Sequence, residues 1–258
     1  MDNAELKHYH DEEFDPSGFY KQYIGSNKEF VDDTVEDIME STYQIFSSGS
    51  VKGDTLIDAS FGIITFHLFV AADYFKNITL IESSDSTIEA TKKWLNKHGD
   101  SVEKSHIAAY ACSLKKKSTG WKEQEEITKN AIKQILKLDF TSEIPLGSVV
   151  YSQADCLISI GYLEISCPDQ ISYLKILNQF SSLLRTGGHL ILFIFLNISY
   201  YMIGELKFSA LKCDEEFVRK SLTDTGFTIK SFDKIKRKVV CPLTDWDYLG
   251  CVVACKEN

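Results

Sequence analysis

Glycine is scarce where a nucleotide-binding α/β protein uses it most. The stretch Asp58–Phe66, DASFGIITF, follows the apolar run TLI in the place of a glycine-rich cofactor turn, yet it holds only Gly62. No phosphate-cradling G-x-x-x-x-G-K and no G-x-S-x-G nucleophile turn stands anywhere in the chain. Positive charge is also short. Against 37 acidic residues there are 28 basic ones, a net charge of −9, which excludes a broad phosphate-binding surface. The basic run Lys115–Lys117 reads as a solvated loop, so no nucleic-acid partner is expected. Cysteines number seven, with no C-x-x-C spacing and no cysteine–histidine pairing, as in a protein with reduced thiols. No uninterrupted apolar segment approaches the roughly 18 residues that span a bilayer. The N-terminal MDNAELKHYHDEEF lacks the basic start and apolar core of a secretion signal, so a cytoplasmic location is expected and no membrane partner. His8-x-His10 has no downstream ligand cluster, so no metal is expected either.

What remains is an ordinary globular composition, 44% apolar and 25% charged, in 258 residues. Apolar spacing predicts a helix over 28–46 that stops near Gly49, then a buried strand over 55–59. A helix over 64–75, a strand over 77–81 and a helix capped by Ser84 or Asp85 follow. Ile107–Ala111 is a weaker strand candidate, followed by a helix over 123–136 and a short strand over 138–140. The strand ADCLISI at 154–160 precedes a helix over 172–184 and the most hydrophobic strand, HLILFIFL. YYMIGELKF at 200–208 reads as an inserted hairpin, and a helix over 214–225 leads to strands at 228–232 and 248–254. Alternating strands and helices imply a largely parallel sheet covered on both faces, with an antiparallel closing edge. One domain over 1–258 is expected, with an N-terminal helical cap over 1–50 and a Rossmann-like core over 51–258. In such sheets ligands bind beyond the carboxyl ends of the strands. Asp58, Glu82 and Asp139 each stand at or near a predicted strand end and together would line one crevice.

The chain resembles the S-adenosylmethionine-dependent nicotinamide, phenylethanolamine and indolethylamine N-methyltransferases. The likeness is carried by VKGDTLID at 51–58, KLDFT at 137–141, ADCLIS at 154–159, CPD at 167–169, SLLRTGG at 182–188 and SYYMIGELKFS at 199–209. It runs from about His8 to Lys256 and implies a class I methyltransferase fold, a seven-stranded, mostly parallel sheet with a helical cap and an inserted hairpin. The resemblance assigns the cofactor turn to Asp58, Ser60, Phe61 and Gly62, the ribose to Glu82, and the adenine side to Asp139 with Phe140 beside it. Its two cofactor-binding cap tyrosines match Phe19 and Ile24, with Tyr20 and Tyr23 as neighbours. Its acceptor aspartate matches Ile194, two acceptor serines match Ile198 and Ala210, and an acceptor-packing tyrosine matches Tyr201. Glu164 stands near a family acid and could bind an amine, although a lone loop carboxylate is more often solvated.

Several of these positions have therefore lost their chemistry. Ser60 replaces a turn glycine, which would cost about 1–2 kcal/mol if φ is left-handed there. Neither Phe19 nor Ile24 can donate to a carboxylate, and the replacements at 19, 24, 61, 194, 198 and 210 are all apolar. The expectation is a non-catalytic family member with weak or no cofactor binding, kept as a structural, abundant or small apolar-ligand-binding protein. The alternative is an active N-methyltransferase using S-adenosylmethionine with an altered small-amine acceptor. The sequence names no oligomeric state and no acceptor.

Overall fold

In the computed structural model the described residues are 6–99, 101–116, 120–139 and 153–257. The central strands assemble because their runs are apolar on both faces, as a doubly covered parallel sheet requires, and a half-exposed strand adds an edge. The parallel strands are β1 (Thr55–Asp58), β2 (Asn77–Glu82), the edge β3 (Ile132–Lys137), β4 (Ala154–Ile160) and β5 (Leu184–Leu196). An inserted hairpin, β6 (Tyr200–Ile203) and β7 (Leu206–Ser209), precedes β8 (Phe227–Lys236) and β9 (Tyr248–Lys256). The seven-stranded sheet runs β3-β2-β1-β4-β5-β9-β8. Its first five members are mutually parallel, whereas β9 is antiparallel to β5 and β8 to β9. Strand order therefore reverses between β1 and β4, and a crevice opens beyond their carboxyl ends at Asp58 and Ile160.

The cap comprises α1 (Pro16–Tyr23) and α2 (Thr34–Ser47). Helix α1 starts where Asp15 accepts the Ser17 amide and Pro16 supplies a preset φ. The core contributes α3 (Leu68–Ala71), α4 (Asp85–Leu95), α5 (Ser105–Leu114), α6 (Trp121–Ala131), α7 (Tyr162–Ser166), α8 (Gln170–Leu183) and α9 (Glu215–Asp224). Ser84 caps α4 as predicted, accepting the Thr87 amide. Among the described residues, no helix is long and apolar enough to cross a membrane.

Four expectations give way. Ile107–Ala111 is helical, within α5; Ile107, Ala108, Ala111 and Cys112 form one buried face, and the alanines favour that choice. The helix expected over 123–136 ends at Ala131, and the edge strand β3 takes up residues 132–137, ahead of the strand expected over 138–140. Ile132, Ile135 and Leu136 have helical spacing, but parallel pairing with β2 decides the backbone. The helix expected from residue 28 begins only at Thr34, and that expected over 64–75 shrinks to the four residues of α3. Phe140 and Thr141, part of the KLDFT stretch, lie outside the described residues.

Candidate functional site

At the end of β1 the chain bends through Ala59 to Gly62, and Gly62 alone in this turn takes a left-handed conformation, with φ +62°. Ser60 has no such φ, so the strain expected there is absent. Its hydroxyl instead donates to Asp58 Oδ1 at 2.7 Å and accepts the Ile160 amide at 3.2 Å, tying the turn to β4. Asp58 is buried, and His67 Nε2 meets the same Oδ1 at 2.8 Å. Sequence reasoning passed over His67; an imidazole nine residues beyond a strand-end aspartate, across a turn, was the available signal.

Glu82 closes β2. Its Oε1 accepts the amides of Ser83 at 2.6 Å and Ser84 at 2.8 Å, and its Oε2 accepts the Tyr9 hydroxyl at 2.8 Å. Asp58 and Glu82 share one void of about 20 Å³, room for a single water. Asp139 does not join them. It follows β3, is exposed, and does not line the void. Of the three acids expected together, Asp58 and Glu82 line this void.

The missing space is filled by aromatic rings. Phe61 packs edge-on to Phe19 at 4.8 Å between centroids and lies 5.9 Å from Tyr201 and 6.0 Å from Tyr9. Phe19 leans over the turn, 3.4 Å from where a Gly62 Cβ would stand. On the far side, a Cβ at Gly161 would fall 2.8 Å from the Phe61 ring and 3.0 Å from Phe195, so only glycine admits both. The neighbouring tyrosines do not restore a donor. Tyr20 donates to the Glu103 carbonyl at 2.7 Å, and Tyr23 to the Met202 carbonyl at 2.8 Å, both structural links.

Beyond Phe61 lies a chamber of about 60 Å³ lined almost wholly by apolar groups, among them Ile24, Phe61, Phe195, Ile198, Tyr201 and Trp246. The Tyr201 hydroxyl is buried there with no hydrogen-bond partner among the described residues. Ile194 lines no part of it and packs over Gly250 of β9, because side chains alternate along β5 and Phe195 is the one presented. Ala210 is half-buried and outside the lining. Glu164 is not a solvated loop carboxylate. It is buried at the start of α7, where its Oε1 accepts the Phe195 amide at 2.7 Å.

Burial dominates the electrostatics. Desolvation pushes the Glu82 carboxyl up to about 8 against the pull of its amide and hydroxyl donors, and pushes Glu164 up to about 8 as well. Lys104, buried beside the Ile63 carbonyl and the Trp94 ring, is pushed down to about 7. The linkage has a definite sign. Both carboxyls hold a proton in the fold at pH values where the unfolded chain has released it, so their contribution is full below about pH 4.5 and is lost as pH rises toward 8. The urea midpoint is therefore expected to fall between pH 5 and pH 7, and Glu82→Gln to flatten that fall. A midpoint that rises over this interval would contradict the assignment.

A model of the NNMT/PNMT/TEMT family matches residues 3–257. The chain is 34% identical over 245 residues to nicotinamide N-methyltransferase of Homo sapiens, covering 94% of this chain and 93% of that one. It is 31% identical over 219 residues to indolethylamine N-methyltransferase of Mus musculus, covering 84% and 83%. Among solved structures it resembles an S-adenosylmethionine-dependent methyltransferase from Clostridium acetobutylicum, with a TM-score of 0.57 at 11% identity over 94% and 98% of the two chains. At that identity the likeness concerns the fold, the class I methyltransferase arrangement expected from the sequence.

Proposed function

Because the chain belongs to the NNMT/PNMT/TEMT family, we propose that it is an S-adenosylmethionine-dependent N-methyltransferase for a small, largely apolar amine, resting in a closed form. The observation that carries this reading is the seat at Glu82: a buried carboxyl group oriented by two consecutive backbone amides at the carboxyl end of β2, beside the switch-point strand β1. Such a group suits a pair of ribose hydroxyls, and the apolar chamber adjoining Phe61 suits an uncharged aromatic or aliphatic acceptor body.

The residues fit the cofactor at one end only. Phe19 and Ile24 offer its amino-acid tail no donor, and voids of about 20 and 60 Å³ are far below the several hundred that a ligand of this size needs. The closed form therefore does not accommodate S-adenosylmethionine, and entry requires the aromatic cluster to part.

That same filling favours a second reading, a non-catalytic protein that keeps the fold. Incubation with methyl-labelled S-adenosylmethionine and a panel of apolar primary and secondary amines separates the two. Label appearing in an amine supports the enzyme. No transfer with any amine, at cofactor concentrations shown to saturate binding, supports the second reading.

A further inference from the structure

The N-terminal segment ahead of α1 does more than cover the site. Lys7 adds the segment to the edge of β7, its amide donating to the Lys207 carbonyl at 2.9 Å and its carbonyl accepting the Ser209 amide at 2.8 Å. Two residues on, Tyr9 turns inward and is 1% exposed. Its ring meets Phe14 edge-on at 4.6 Å, and its hydroxyl reaches the deepest polar groups of the crevice. The oxygen donates to Glu82 Oε2 at 2.8 Å, accepts the Gly62 amide at 2.9 Å and lies 3.3 Å from Thr87 Oγ1. One hydroxyl thus engages both the strand-end carboxylate and the turn amide.

We propose that Tyr9 is an internal stand-in for a nucleoside hydroxyl, so that a ligand carrying an adenosine-type ribose enters the seat only by displacing the N-terminal strap. The chemistry matches: a ribose offers Glu82 an O–H donor in the same role, and the void of about 20 Å³ beside Glu82 leaves a sugar no room while the Tyr9 side chain stands at Oε2. The bonds that hold the strap inside the crevice, at Glu82 and Gly62, are the ones that must break. Its attachment to β7 can persist, so the motion is an outward swing of the segment carrying Tyr9. The proposal rests on Glu82 being a nucleoside seat, the basis of the functional reading above, but it does not require methyl transfer.

The test uses the full chain, with 5′-methylthioadenosine as probe. Tyr9→Phe keeps the ring packed and removes the hydroxyl's bonds to Glu82, Gly62 and Thr87, so it is expected to bind the probe about tenfold more tightly by calorimetry. Amide hydrogen exchange over residues 6–14 is expected to speed up when the probe binds the unaltered protein. Equal or weaker binding by Tyr9→Phe, or slower exchange on binding, overturns the proposal, weaker binding with slower exchange making the strap a lid that contacts the ligand; no binding by either protein overturns the nucleoside seat at Glu82 itself. Neither readout depends on turnover, so an absence of methyl transfer leaves this result legible.

Discussion

Phe61→Ala is expected to lower stability by about 3–5 kcal/mol, the range for removing a buried aromatic ring. For a chain of this size that corresponds to a fall in Tm on the order of 10 °C. The magnitude follows from where the ring stands. Phe61 is buried between Phe19 and Tyr201, and it abuts the Gly161 backbone so closely that a methyl there would collide. Its removal would join the voids on either side and leave a cavity that no neighbouring backbone can collapse into, since Phe61 and Gly161 are anchored through β4 and β5. A side chain projecting into an open cofactor crevice would behave differently, with truncation close to neutral. Thermal unfolding of the single variant therefore reads directly whether the crevice is a packed core.

The largest functional effect is expected from restoring donors on α1. The double variant Phe19→Tyr with Ile24→Tyr should bind S-adenosylhomocysteine on the order of 10³-fold more tightly than the unaltered chain. Each hydrogen bond to a charged carboxylate contributes about 1.5–3 kcal/mol, and every 1.4 kcal/mol is tenfold in affinity. Phe19 already stands over the Gly62 turn, and Ile24 lines the chamber beside it, so both side chains face the region where the tail would lie. Titration calorimetry checks this. A gain below tenfold would show that missing donors are not what limits the site.

The sheet was legible because strands such as Leu190–Leu196 and Ala154–Ile160 are apolar runs too short for anything but buried strands, punctuated by turns such as Gly187-Gly188. The edge strand β3 was not, because its Ile132, Ile135 and Leu136 satisfy a helical period and its partner strand β2 lies far back in the sequence, Thr79 pairing with Gln134. The turn and its neighbours could be read from the family likeness, which also matches cap tyrosines to Phe19 and Ile24. The contents of the crevice could not. Tyr9 sits in a polar, acidic stretch whose composition suggests a solvated tail, and its burial depends on the hairpin edge that captures Lys7. Glu164 misled for the opposite reason: a carboxylate reads as exposed unless a buried amide, here that of Phe195, awaits it. Ile194, matched to an acceptor aspartate, packs over Gly250 while its neighbour Phe195 lines the chamber, and the alternation along β5 decides which of the two faces it.

Side-by-side calorimetry of S-adenosylhomocysteine and 5′-methylthioadenosine weighs the two halves of the seat against each other. With Glu82 in place and no tail donors at positions 19 and 24, the two dissociation constants should fall within about tenfold of one another. Binding of S-adenosylhomocysteine a hundredfold or more tightly would mean that this chain still grips the amino-acid tail, and the account given for Phe19 and Ile24 would be wrong.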